Sequence, residues 1–128
     1  MLPLDWELWL DGGHNEAAAL ALASVASSWM DRPIHLVFGM LNSKQPDVFL
    51  SHLAPFVTHV YAVAIPDEEN SFSAAAIVEA ASQAGIKATV ALSTEEALRQ
   101  LATEFGAPAR VLICGSLYLA GIILAQNN

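Results

Sequence analysis

Apolar and polar positions along the chain switch between a two-residue and a 3.6-residue period five times. That alternation is the pattern of strands joined by crossover helices in a parallel sheet. Trp6 to Leu10, Ile34 to Phe38, Val57 to Val63, Ala88 to Ala91 and Arg110 to Cys114 predict strands, with helices predicted near 16–30, 46–54, 71–84, 94–105 and 116–126. In the first helix Ala18, Leu22, Val25 and Trp29 share one stripe, which is expected to face the sheet. Ser93 followed by Glu96 is a capping-box pattern and marks the start of the fourth helix. The expected fold class is α/β: an open, mainly parallel, Rossmann-like sheet with helices on both faces.

Composition sharpens this picture. A chain of 128 residues, 55% hydrophobic and 14% charged, is expected to form a single domain over 1–128 with a self-sufficient core. Thirteen acidic residues against five Lys and Arg give a net charge of −8, which leaves no basic stripe for nucleic acid or an anionic membrane surface. The one cysteine, Cys114, rules out a disulfide framework and a four-cysteine zinc site, and it fits a reducing compartment. The most apolar stretch, Val111 to Ala125, is interrupted by Gly115, Ser116 and Gly121 and falls short of the ~20 residues of a membrane span. Met1 to Asp5 has no basic region of the signal-peptide kind, so a cytoplasmic location is expected.

The candidate chemistry follows from the loops. In a right-handed parallel arrangement every strand ends at the same edge, and ligands of open α/β sheets bind there. After the five predicted strands come Asp11-Gly12-Gly13-His14-Asn15, Gly39 to Lys44, Pro66 to Ser71, Ser93-Thr94, and Gly115-Ser116. The first is the most informative: two glycines allow a tight turn, and Asp, His and Asn project polar groups beside a helix start whose N–H groups can meet an anion. The same spacing equally suits Asn15 or Asp11 as a helix cap with His14 a solvated loop residue. Ser116 can offer its hydroxyl to a substrate oxygen or cap the helix after it. No G-x-x-x-x-G-K-[ST] occurs, so the chain has no phosphate cradle of that type.

Other chemistries fit less well. A G-x-S-x-G elbow is absent around Ser116, Cys114 reads as an inert strand residue, and His35, His52 and His59 have no metal-ligand spacing. These three histidines are expected to be structural or solvated. A receiver domain shares the element order but needs an acidic pair after the first strand and a Lys after the fifth. Asp11 stands alone, Asp67 follows a proline, and no Lys follows Cys114.

Asp11-Gly12-Gly13-His14-Asn15 resembles the D-G-A-H-N-P motif that opens the C-terminal domain of the folylpolyglutamate synthase / dihydrofolate synthase family, ATP-dependent amide ligases related to the Mur ligases. Phe38-Gly39-Met40-Leu41 with Lys44 is similar to the family's F-G-x-L-x-D-K-D loop, Ile65-Pro66 sits where its third strand ends, and Cys114-Gly115-Ser116-Leu117-Tyr118 is similar to its G-S-L-Y segment. The resemblance spans essentially the whole chain. Gly13 stands for the family's Ala, Glu16 for its Pro, and Ser43 and Gln45 for the two Asp residues flanking Lys44.

The resemblance implies a Mur ligase C-terminal domain type of fold and a share in a ligase reaction. ATP would phosphorylate a pteroate or folyl carboxylate, and the amine of glutamate would displace the phosphate. Asp11, His14 and Asn15 would serve the nucleotide, Ser116 would help hold glutamate, and Lys44 would be a possible loop contact. The P-loop and the ligands for Mg2+ would lie mainly on a preceding domain, so the chain is expected to be an excised domain or truncated product without activity in isolation. A free-standing α/β binding or interaction module is the alternative.

Overall fold

The computed structural model of the protein describes residues 7–10 (backbone only), 15–29, 31, 33–41, 44–66, 68–104 and 109–115. Its elements in chain order are β1 (Glu7–Leu10), α1 (Glu16–Ser27), β2 (Ile34–Phe38), α2 (Pro46–Leu53), β3 (His59–Ala62), α3 (Ala74–Gln83), β4 (Ala88–Val90), α4 (Thr94–Glu104) and β5 (Arg110–Cys114). The helix expected near 116–126 lies outside the described residues. The strands form one sheet in the order β1-β5-β2-β3-β4, and every described pairing is parallel.

Side chains alternate across the central strands, and each face gathers its own core. Leu36, Phe38, Val60, Ala62, Leu112 and Cys114 face α1, α2 and α3, where they pack with Leu22, Phe49, Leu50, Leu53 and Ile77. Val37, Tyr61, Val63, Val111 and Ile113 face α4, packing with Ala97, Leu98 and Leu101. Helices therefore cover both faces, as the alternation predicts. Burying each large aliphatic or aromatic side chain contributes about 1.5–3 kcal/mol, so the sheet and its helices stabilise one another. Near-continuous burial of β2 and β5 follows from having helices on both sides.

Local chemistry sets the helix ends. Asn15 caps α1, its Oδ1 accepting from the Ala18 N–H at 2.9 Å. Pro46 opens α2, where its missing N–H costs nothing. Ser93 accepts from the Glu96 N–H at 3.1 Å, as its capping pattern predicts. The end of α3 is a Schellman turn, with Ile86 N–H donating to the Ala81 carbonyl and Gly85 N–H to that of Ser82.

The structure corrects three expectations. The buried stripe of α1 is Ala19, Leu22 and Ala26, whereas Val25 is 44% exposed and Trp29 lies beyond the helix. Eleven of the positions from 16 to 27 other than Glu16 are small or apolar, so periodicity alone could not select the face. The third helix begins at Ala74, not residue 71, because Ser73 caps it through the Ala76 N–H at 3.1 Å. The third strand is His59–Ala62, shorter than the predicted 57–63.

Candidate functional site

All five strands end at one edge, and that edge has a topological switch. From β2 the chain moves to β3 and β4, then returns through α4 to β5 on the other side of β2. Crevices beyond the strand ends at such switches are the usual ligand sites of open α/β sheets. Here the exits of β2 and β5 are drawn tightly together by two glycines. The Gly39 N–H reaches the Cys114 carbonyl at 3.4 Å. Gly115 has φ +98°, and a Cβ there would collide with the Gly39 carbonyl oxygen and lie 2.8 Å from Cε1 of Phe38. A Cβ on Gly39 would in turn lie 2.8 Å from the Val63 carbonyl oxygen. Only glycine at both positions permits this approach of three chain exits.

The loops beyond β2 and β3 are stitched to each other. Leu41 and Ser71 form an antiparallel bridge, and the Phe72 N–H donates to the Met40 carbonyl at 2.9 Å. Ser71 Oγ accepts from the Ile65 N–H at 2.9 Å and donates to the Phe72 carbonyl at 2.8 Å. The Lys44 N–H donates to the Leu41 carbonyl at 3.1 Å.

Among the predicted site residues, Asn15 and Lys44 are described; Asp11, His14 and Ser116 lie outside the described residues. Asn15 directly precedes α1, and its side-chain oxygen is committed to the cap. Lys44 is half-buried at the end of the β2 exit loop, and among the described residues no carboxylate pairs with it. Because β5 lies between β1 and β2, the exit at Gly115 is flanked by the exits that lead to Asn15 and to Lys44. Sequence reasoning missed the tie through Ser71, which it assigned to a helix start. The Ser71-Phe72-Ser73 run was the available signal, since only one of two serines that close together can cap the same helix.

The described histidines lie elsewhere. His35, the second residue of β2, is fully buried, and burial pulls its pKa down to about 4, with nearby His59 adding to the effect. His59 Nε2 meets Thr89 Oγ1 at 2.8 Å, and its ring packs on Tyr61 at 4.8 Å. Burial lowers the His59 pKa, partly offset by Glu104 and reinforced by Lys87. Tyr61 donates to Glu104 at 2.9 Å, and burial followed by this bond pushes its phenol well above the usual range. His52 pairs with Glu16 across α1 and α2 at 2.9 Å.

Among the described residues, two surface hollows are lined mainly by helix residues. One, of about 430 Å³, is lined by Glu95, Arg99, Ala102 and Thr103; the other, of about 250 Å³, by Asp47, Val48, Ser51, Gln83 and Ala84. Among the described residues no three His, Cys, Asp or Glu side chains are grouped to hold a metal ion. No helix among them is long and apolar enough to cross a membrane.

The sequence from 5 to 117 matches the family described as Mur ligase, glutamate ligase domain. The chain belongs to that family. Solved structures agree with this glutamate ligase domain in fold. A bifunctional folylpolyglutamate synthase/dihydrofolate synthase with Mn, AMPPNP and L-glutamate bound superposes with TM-score 0.84 at 24% identity, covering 98% of this chain and 30% of that one. The Yersinia pestis CO92 enzyme of the same name gives 0.80 at 25% identity, covering 97% and 29%. The E. coli FolC complex with DHPP and ADP gives 0.77 at 22% identity, covering 92% and 28%. The chain therefore spans about 30% of the length of such proteins. No curated protein matches it.

Proposed function

We propose that this chain is the C-terminal domain of an ATP-dependent ligase that adds glutamate to dihydropteroate or folate through an acyl phosphate. The observation that carries this reading is the match of residues 5–117 to a glutamate ligase domain. Support comes from the similar structures, whose ligands include ADP, AMPPNP, glutamate and DHPP. In this reading the domain closes over ATP held by a preceding P-loop domain, which also supplies most ligands of the divalent cation. Asp11, His14 and Asn15 approach the nucleotide, Ser116 helps to hold glutamate, and Lys44 stands by at the β2 exit. An acidic chain suits this arrangement, because it presents no competing basic surface to nucleic acid.

The chain itself contributes positioning and closure, and phosphoryl transfer needs charge neutralisation that it lacks. The 128-residue chain is thus expected to release no ADP from ATP, with or without dihydropteroate and glutamate. The full-length protein is expected to show glutamate-dependent ADP release. In that protein His14→Ala should lower kcat/KM by ~1–3 kcal/mol of transition-state stabilisation while the denaturation midpoint holds. Turnover by the isolated chain overturns the division of labour. A full-length protein without glutamate-dependent ADP release overturns the ligase reading in favour of a binding module.

A further inference from the structure

The loop after β2 carries Lys44, a cation at the carboxyl edge with no carboxylate partner among the described residues. A lysine stem has four rotatable carbons, so the ammonium is useful only where its backbone is fixed. The chain fixes it through an unusual route. The Lys44 amide is tied to Leu41, Leu41 is bridged to Ser71, and neighbouring Met40 accepts from Phe72. Ser71 joins this unit to the end of β3 by accepting from the Ile65 N–H and donating to the Phe72 carbonyl with the same hydroxyl. Ile65 is buried and Met40 is fully buried, so both ends of the tie are anchored in the core. Removing the hydroxyl leaves the Ile65 amide and the Phe72 carbonyl each short of a partner, and Met40 and Leu41, with the Lys44 amide tied to Leu41, lose their brace against the chain after β3.

The geometry points to Ser71 as a positioning residue that sets the height of Lys44 over the carboxyl edge, where the ammonium meets an anionic oxygen of substrate. This rests on the ligase reading proposed above. The oxygen belongs to the ATP phosphates or to the glutamate carboxylates, and kinetics separates the two. Ser71 touches neither substrate, so its effect should pass entirely through Lys44.

The test uses Ser71→Ala, Ser71→Thr, Lys44→Met and the Ser71→Ala/Lys44→Met double variant in the full-length protein. Lys44→Met should raise the KM for one of the two substrates, and Ser71→Ala should raise the KM for that same substrate about 3- to 10-fold with kcat changed less. The double variant should be no worse than Lys44→Met, and Ser71→Thr, which keeps the hydroxyl, should behave as wild type. Wild-type kinetics in Ser71→Ala or in Lys44→Met, effects that multiply in the double variant, or a rise for a different substrate would overturn the assignment. Amide hydrogen exchange on the 128-residue chain reads the tie separately. In Ser71→Ala, exchange at Ile65, Phe72 and Lys44 should quicken while β5 stays protected, and unchanged exchange at all three amides overturns it. A wild-type protein without glutamate-dependent ADP release would instead overturn the ligase reading and the role of Lys44 with it, the exchange result still deciding the tie.

Discussion

The two ends of the sheet solve the same problem, holding adjacent strands in place, by different means. At the amino end ionisable groups reinforce backbone bonds such as that from the Arg110 N–H to the Pro33 carbonyl: Arg110 also reaches Asp31 at 2.5 Å and the Trp29 carbonyl at 3.0 Å, its guanidinium lies 5.4 Å from the Trp29 ring centre, and His35 and His59 sit side by side on β2 and β3. At the carboxyl end the described ties are backbone amides, carbonyls, one hydroxyl and two glycines. None of these ties between strand exits uses an ionisable side chain, although nearby the Glu68 carboxylate accepts from the Asn70 N–H at 3.2 Å and Glu16 at the start of α1 pairs with His52. The amino end carries stability that depends on pH, and the carboxyl end carries shape.

The sharpest way to break this contrast is at Gly115. Gly115→Ala places a Cβ against the Gly39 carbonyl oxygen and forces a side-chain residue to φ +98°. Left-handed strain and overpacking each cost about 1–3 kcal/mol, so a combined loss of about 2–6 kcal/mol is expected in urea denaturation. A loss below about 1 kcal/mol would show that the β2 and β5 exits can part easily.

Acid should find the other end. His35 has an ordinary pKa of 6.5 and is held at about 4 in the fold. The unfolded chain therefore binds more protons between those values, so the stability His35 contributes is complete above about pH 6.5 and is lost as pH falls towards 4. The difference corresponds to roughly 3 kcal/mol. His59, whose pKa is lowered too, works in the same direction, with Glu104 and Lys87 acting on it in opposite senses. Urea midpoints of wild type and His35→Leu between pH 7 and 4 isolate the effect. The variant should show the shallower slope, and equal slopes would assign the acid sensitivity to carboxylates instead.

Legibility from sequence follows the same division. Strand positions were readable because β2 and β5 are short apolar runs bounded by turn residues, and the Ser93 cap was readable because its hydrogen bond is local. The buried face of α1 was not, since alanine at so many positions flattens the contrast between faces. The Phe38-Gly39 and Cys114-Gly115 motifs were visible as strings, but their contact joins residues far apart in sequence and exists only once β5 inserts beside β2. The pair of Tyr61 and Glu104, 43 residues apart, was invisible for the same reason. At the candidate site the motif supplied Asn15 and Lys44, whereas Ser71 emerged only from the geometry of the folded loops.

The smallest expected effect separates cap from charge at the carboxyl edge. Asn15 accepts from the Ala18 N–H at 2.9 Å, so Asn15→Ala should cost about 1 kcal/mol through the lost cap. Asn15→Asp keeps an equally good acceptor and adds a negative charge that the α1 amino end favours, so stability should move by no more than ~0.5 kcal/mol. The two variants therefore separate what the side chain does for the helix from what it does for a ligand. If the loop before α1 faces ATP phosphates, the aspartate variant of the full-length protein adds a like charge there, and its KM for ATP should rise although the helix is intact. Denaturation midpoints and ATP KM measured on both variants decide between the roles. A stable Asn15→Asp protein with unchanged ATP KM would leave Asn15 as a cap alone and move the nucleotide away from the start of α1.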